Sequence, residues 1–229
     1  MVDIRNYSKL THTATAIVDL FANPNDFKNY YRNVSSNEVK SLVRHFIVNN
    51  KPFAFNDKPM LYEQMTQYLA DKLKITATEI KLIGSAKTGF SISPPPDYGK
   101  DFGSHSDLDF SIVSSKIFSE LEKEFANWVD LYESGRIEPR NPTEELYWKQ
   151  NVNSGNGQIE MGFIDTKFIP NREPFFLTKT INNSMWHIKN SLEVNHNIEL
   201  TKANASIYKD WNSFAARLNR NTKHVISKL

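Results

Sequence analysis

The 229-residue chain contains no cysteine, which excludes disulfide staples, cysteine-ligated zinc and thiol nucleophiles together. It also lacks any run approaching the ~20 apolar residues of a membrane helix. The opening MVDIRNYSKLTHTATAIVDLF has no apolar core followed by a small-residue cleavage site, so no signal peptide is expected. These absences predict a cytoplasmic protein with no membrane partner. A dominant charge is missing too: 28 Lys+Arg against 26 Asp+Glu leave +2, so no global positive field points to nucleic acid. With 39% hydrophobic and 24% charged residues, eight Gly and ten Pro, the composition is that of an ordinary globular protein. At about 100–200 residues per domain, the length allows one domain or two tightly merged ones.

Three textures follow one another along the chain. The first 75 residues read as helices, most clearly from Ser36 as N-cap, where Val39, Leu42, Val43, Phe46 and Ile47 share one face. A second helix begins at Pro59 and turns Leu61, Met65, Tyr68, Leu69 and Leu73 inward. From Glu79 a short apolar run, Ile80, Leu82 and Ile83, stops at Gly84-Ser85 as a strand that turns sharply. Residues 91–106, with three consecutive prolines and two glycines, form a loop, and LDFSIVS is a second strand. A helix over 115–133 buries Ile117, Phe118, Leu121, Phe125, Trp128 and Val129. The stretch 135–156 is polar and turn-rich, and alternation from Gln158 to Ile169 predicts a half-buried strand. The chain then finishes in helices, the last marked by Ile207, Trp211, Phe214, Ala215 and Leu218. The expected class is α+β: a helical region over 1–77, a small mixed sheet over 78–170 and a helical region over 171–229, in one compact unit.

The chemistry-bearing stretch is 81–115. In Ser106-Asp107-Leu108-Asp109-Phe110, side chains two apart on a strand share a face, so Asp107 and Asp109 point together. Paired carboxylates repel each other, and a shared divalent cation such as Mg²⁺ relieves the repulsion. A polar strand entry would use the same residue types. At the end of the preceding strand, Gly84 lets backbone approach a ligand closely, Ser85 adds a hydroxyl, and Lys87 offers a charge to phosphate oxygens. A glycine needed only for the turn is the plainer reading of that element. Together, however, the two elements place a phosphate cradle and a metal-binding pair at neighbouring strand ends.

This order of strand, Gly84-Ser85, short helix, loop and Ser106-Asp107-Leu108-Asp109 on a strand resembles the DNA polymerase beta-like nucleotidyltransferase superfamily, including its minimal bacterial members. The resemblance covers residues 78–170. It implies a nucleotidyltransferase fold in which Asp107 and Asp109 hold two Mg²⁺ ions and Gly84 and Ser85 hold a nucleoside triphosphate, with Ser106 as the small polar residue before the pair. It also implies a third carboxylate on a later strand, for which Asp165 is favoured over Glu160. The implied reaction moves a nucleoside monophosphate, AMP from ATP in the first instance, to a protein, RNA or small-molecule acceptor. Relatives of this architecture act in toxin–antitoxin or phage-defence settings. The alternative is an inactive member that binds nucleotide or nucleic acid through its C-terminal helices.

Competing motifs fail on their residues. Gly84 and Gly89 have the P-loop spacing, but Phe90 and Ser91 follow where Lys and Ser/Thr are required. Ser91 lacks the second glycine of a nucleophile elbow, and the six histidines show no metal-ligand spacing. His105, two residues before Asp107, stands where it could meet a phosphate or simply fill the loop. Charge is segregated: residues 174–229 hold eight Lys/Arg against three Asp/Glu. With Trp186, Tyr208 and Trp211 nearby, that tail is a candidate RNA contact, or else a solvated helical face.

Overall fold

A computed structural model describes residues 22–33 and 36–229, with the side chains of residues 36 and 37 excepted. The expected absence of a signal peptide, His12 and the capping role of Ser36 lie outside the described residues. Helices α1 (Pro24–Asn33) and α2 (Ser36–Leu42) come first, α2 running on into a wider π-helical stretch, Val43–Asn49. Then follow α3 (Pro59–Leu73), β1 (Ile80–Ile83), the one-turn α4 (Ser85–Thr88), β2 (Asp107–Val113) and α5 (Ser115–Glu133). The chain continues through α6 (Pro142–Glu160), β3 (Phe163–Asp165), α7 (Phe176–His196), β4 (Lys202–Tyr208) and α8 (Trp211–Lys228). No helix among the described residues is long and apolar enough to cross a membrane.

Among the described residues four strands form one mixed sheet in the order β1-β2-β4-β3, with β4 parallel to β2 and the two outer pairings antiparallel. Strand alternation divides its side chains between two cores. Ile80, Leu82, Leu108, Phe110, Ile112, Ile164, Ala205 and Ile207 face a large core completed by α3, α5 and α7. Phe163 and Tyr208 take the opposite face, where Phe27, Phe46, Phe90, Phe214 and Leu218 close a second core. The second core is rich in aromatic rings, with Phe27 set 5.1 Å from Phe46 and Tyr208 4.9 Å from Phe214. Each buried large side chain contributes roughly 1.5–3 kcal/mol of transfer free energy, so both faces hold the sheet firmly.

Three expectations are overturned. The stretch 135–156 is not turn-rich throughout, because α6 occupies Pro142–Glu160. Asn141 caps it by accepting from the Glu144 amide at 2.9 Å, and Trp148 anchors it against Trp128 and Tyr132. The strand expected over 158–169 therefore shrinks to Phe163–Asp165, and Glu160 lies exposed on the last helical turn. The C-terminal region is not all helix either: it supplies β4, the strand between β2 and β3, and Ile207 belongs to that strand rather than to α8.

Candidate functional site

The antiparallel register sets Ile83 opposite Asp109, so Gly84 leaves β1 beside the Asp109 side chain. Gly84 has φ 71° and ψ −163°, and a Cβ placed there would stand 2.9 Å from Asp109 Oδ2. Both the backbone conformation and the lack of room demand glycine. Asp107 lies two residues before Asp109 on the same face. Gly84, Ser85, Ser106, Asp107 and Asp109 line a cleft of about 470 Å³. That volume falls within the range of small-molecule sites.

One wall of the cleft is the Pro-rich loop, which is tied down by its own backbone. Ser91 donates to the Lys100 carbonyl at 2.8 Å and Phe102 to the Gly89 carbonyl at 2.9 Å, while the Tyr98 hydroxyl donates to the Pro24 carbonyl at 2.7 Å. The loop brings Lys100 and His105 to the cleft, and α8 brings Asn221 and Thr222. Ser106 accepts from the Gly103 amide through its hydroxyl at 3.1 Å, which fixes the turn into β2.

The carboxylates are held from β4. Asn204, opposite Asp109 in the parallel register, donates through Nδ2 to Asp109 Oδ1 at 3.1 Å and to Asp107 Oδ2 at 3.5 Å. Lys202 Nζ stands 3.4 Å from Asp107 Oδ2. Burial pushes the Asp109 carboxyl above its ordinary range, against the lowering pull of the Asn204 amide, and the charges of Asp107 and Asp165 add to the rise. Two adjacent carboxylates on one face are a fitting donor set for a hard divalent cation, which Mg²⁺ sites satisfy with one or two carboxylates and substrate phosphates. Among the described residues no group of three His, Cys, Asp or Glu is arranged to hold a metal.

Asp165 shares the sheet face of the pair but stands on β3, beyond β4. Its register partner is Ser206, which lies opposite Ser111 rather than Asp109. At about 4.8 Å per strand, its backbone is ~10 Å from β2. Its carboxylate is already engaged: Ser206 donates to Oδ1, Arg217 Nη1 lies 3.3 Å from the same oxygen, and Gln158 Nε2 donates to Oδ2 at 2.9 Å. Although burial works in the other direction, Arg217, Ser206 and Gln158 hold Asp165 below the usual carboxylate range. Arg217 itself stacks 3.9 Å from the Phe163 ring centre and donates to the Tyr208 hydroxyl at 3.1 Å.

Lys87 does not reach the cleft. Its ammonium donates to the Asn50 carbonyl behind α4, and the side chain is 4% exposed. On a single helical turn, Ser85 and Lys87 take different sides, and only Ser85 borders the carboxylates. His105 does line the cleft, with Nε2 3.0 Å from the Asp101 carbonyl. The basic tail is divided: Tyr208 is buried and Arg217 is committed to Asp165, which removes both from any RNA-facing surface, while Trp186 and Trp211 remain exposed. Asn204, Ser206 and Gln158 carried no motif. Only the pairing of β4 between β2 and β3 gives them a role. Comparison with models of known protein families, with curated proteins and with solved structures finds no match to this chain.

Proposed function

We propose that the cleft is the site of a nucleotidyltransferase that takes a nucleoside triphosphate, ATP in the first instance, and moves its nucleoside monophosphate to a hydroxyl-bearing protein, RNA or small-molecule acceptor. The observation that carries this reading is the cleft itself, in which a close-approach glycine turn, with no room for a Cβ beside Asp109, stands with a pair of carboxylates. Asp107 and Asp109 would hold Mg²⁺, with Asn204 restraining both side chains. When bound, the ion supplies neutralisation of the triphosphate and acidification of the acceptor hydroxyl. Gly84 admits a phosphate to the turn without a side chain in the way, Ser85 offers a hydroxyl, and Lys100 and His105 place further donors on the loop wall. In the reaction the acceptor hydroxyl gives up its proton to solvent, its oxygen bonds to the α-phosphorus, and the bond from that phosphorus to the bridging oxygen breaks as pyrophosphate leaves in line.

A specific observation favours a second reading, nucleotide binding without transfer. The neutral Asn204 stands opposite Asp109, and Asp165, the remaining acid on this face, is occupied by Arg217. Incubation with α-phosphate-labelled ATP, Mg²⁺ and cell lysate separates the two. Transfer predicts pyrophosphate release and a labelled acceptor, both lost in Asp107→Asn. Saturable ATP binding with no pyrophosphate would establish binding alone.

A further inference from the structure

Helix α4 borders two hollows: Ser85 and Thr88 line the cleft, and Lys87 lines the second. Behind Lys87 lies a space of about 360 Å³ lined by Lys51, Lys81 and Lys87 together with Asn50, Asn56 and Tyr62. Among the described residues no Asp or Glu borders it. Lys87 is almost fully enclosed, and its ammonium donates to one neutral carbonyl, that of Asn50. Among the described residues none of the three lysines forms an ion pair with a carboxylate. A buried ammonium ordinarily comes with a counter-charge, because desolvation costs several kcal/mol that a neutral acceptor offsets only in part. Here the charge that bears on it, that of Lys81, is of the same sign. Burial, followed by the charge of Lys81, lowers Lys87 to about 8. The Lys81 ammonium also lies 5.9 Å from the centre of the Trp211 ring, within cation–π range.

We propose that this hollow is a second anion site, in which a phosphate group is held between Lys51, Lys81 and Lys87. Three ammonium groups without an acid match a phosphate dianion better than a single carboxylate, and compact ammonium charges are regular phosphate partners. The volume admits free phosphate or the phosphate end of a small metabolite. The site uses none of the residues assigned to the carboxylate cleft, so it stands whether or not nucleotide is transferred there.

Lysine side-chain NMR of the full chain, titrated with inorganic phosphate in EDTA at constant ionic strength, tests it. Lys81 and Lys87 signals should shift and saturate, while Lys100, which lines the cleft, stays in place. Calorimetry on the same protein should show Lys81→Gln weakening phosphate at least about ten-fold, as expected for loss of a charged hydrogen-bond partner. Lys87→Met should abolish binding; if that variant does not fold, the partly exposed Lys81 decides alone. AMP in place of phosphate distinguishes the source, since tighter binding of AMP assigns the site to a phosphorylated metabolite and tighter binding of phosphate to the free ion. Unmoved Lys81 and Lys87 signals, shifts confined to Lys100, or undiminished affinity in Lys81→Gln would overturn the proposal.

Discussion

At Gly84 the requirements of fold and site coincide in one residue. The positive φ disfavours any side chain, and the Asp109 carboxylate stands too close to leave room for a Cβ. Gly84→Ala should destabilise the protein by roughly 1–3 kcal/mol from backbone strain and overpacking. It should also displace Asp109 and so weaken nucleotide binding more than stability alone accounts for. Denaturant unfolding measures the first effect, and calorimetry under native conditions the second. Stability equal to wild type would mean that the turn relaxes without consequence. Asp165 presents the converse case, a carboxylate of the right type on the right face whose oxygens are taken up by Ser206, Gln158 and Arg217. Residue type and parity alone cannot reveal such neutralisation, because Arg217 arrives from a helix 52 residues later.

Among the elements, those with strong local signals were legible and those made by tertiary contact were not. Pro59, the apolar face of 115–133 and the Gly84 stop delimited α3, α5 and β1. The order of turn and carboxylate pair likewise placed Gly84, Ser85, Asp107 and Asp109 at one cleft. Helix α6 was hidden because NVNSGNGQ is a poor helix-forming run. Its packing supplies the missing reason: Gly155 lets α6 lie directly on Phe125, where a Cβ would stand 2.2 Å from Cε2 of the ring. Gly155→Ala should therefore destabilise by about 1–3 kcal/mol despite improving intrinsic helix propensity. An increase in the urea midpoint would show that α6 does not depend on this approach. Strand β4 was concealed differently, since KANASIY is short and Ile207 happens to fall in phase with the apolar positions of α8.

In the molecule as a whole, the near-neutral charge is a balance between local sites. Carboxylates gather where β2 meets β4, while Lys51, Lys81 and Lys87 gather behind α4. The second sheet face carries the entire carboxylate constellation, and α8 closes over it with Leu218, Asn221 and Thr222 at the cleft and Arg217 on Asp165. The C-terminal region is thus part of the cleft and its surroundings through both β4 and α8. Under the proposed function, Asp107 and Asp109 bind a divalent cation together with a nucleoside triphosphate. Calorimetric titration of a non-hydrolysable ATP analogue into the full chain tests this most directly, with Mg²⁺ and with EDTA, for wild type and Asp107→Asn/Asp109→Asn. The account predicts saturable binding that falls at least about ten-fold in EDTA and in the double variant, the loss of one or more charged contacts. Equal affinity in all four measurements would contradict it.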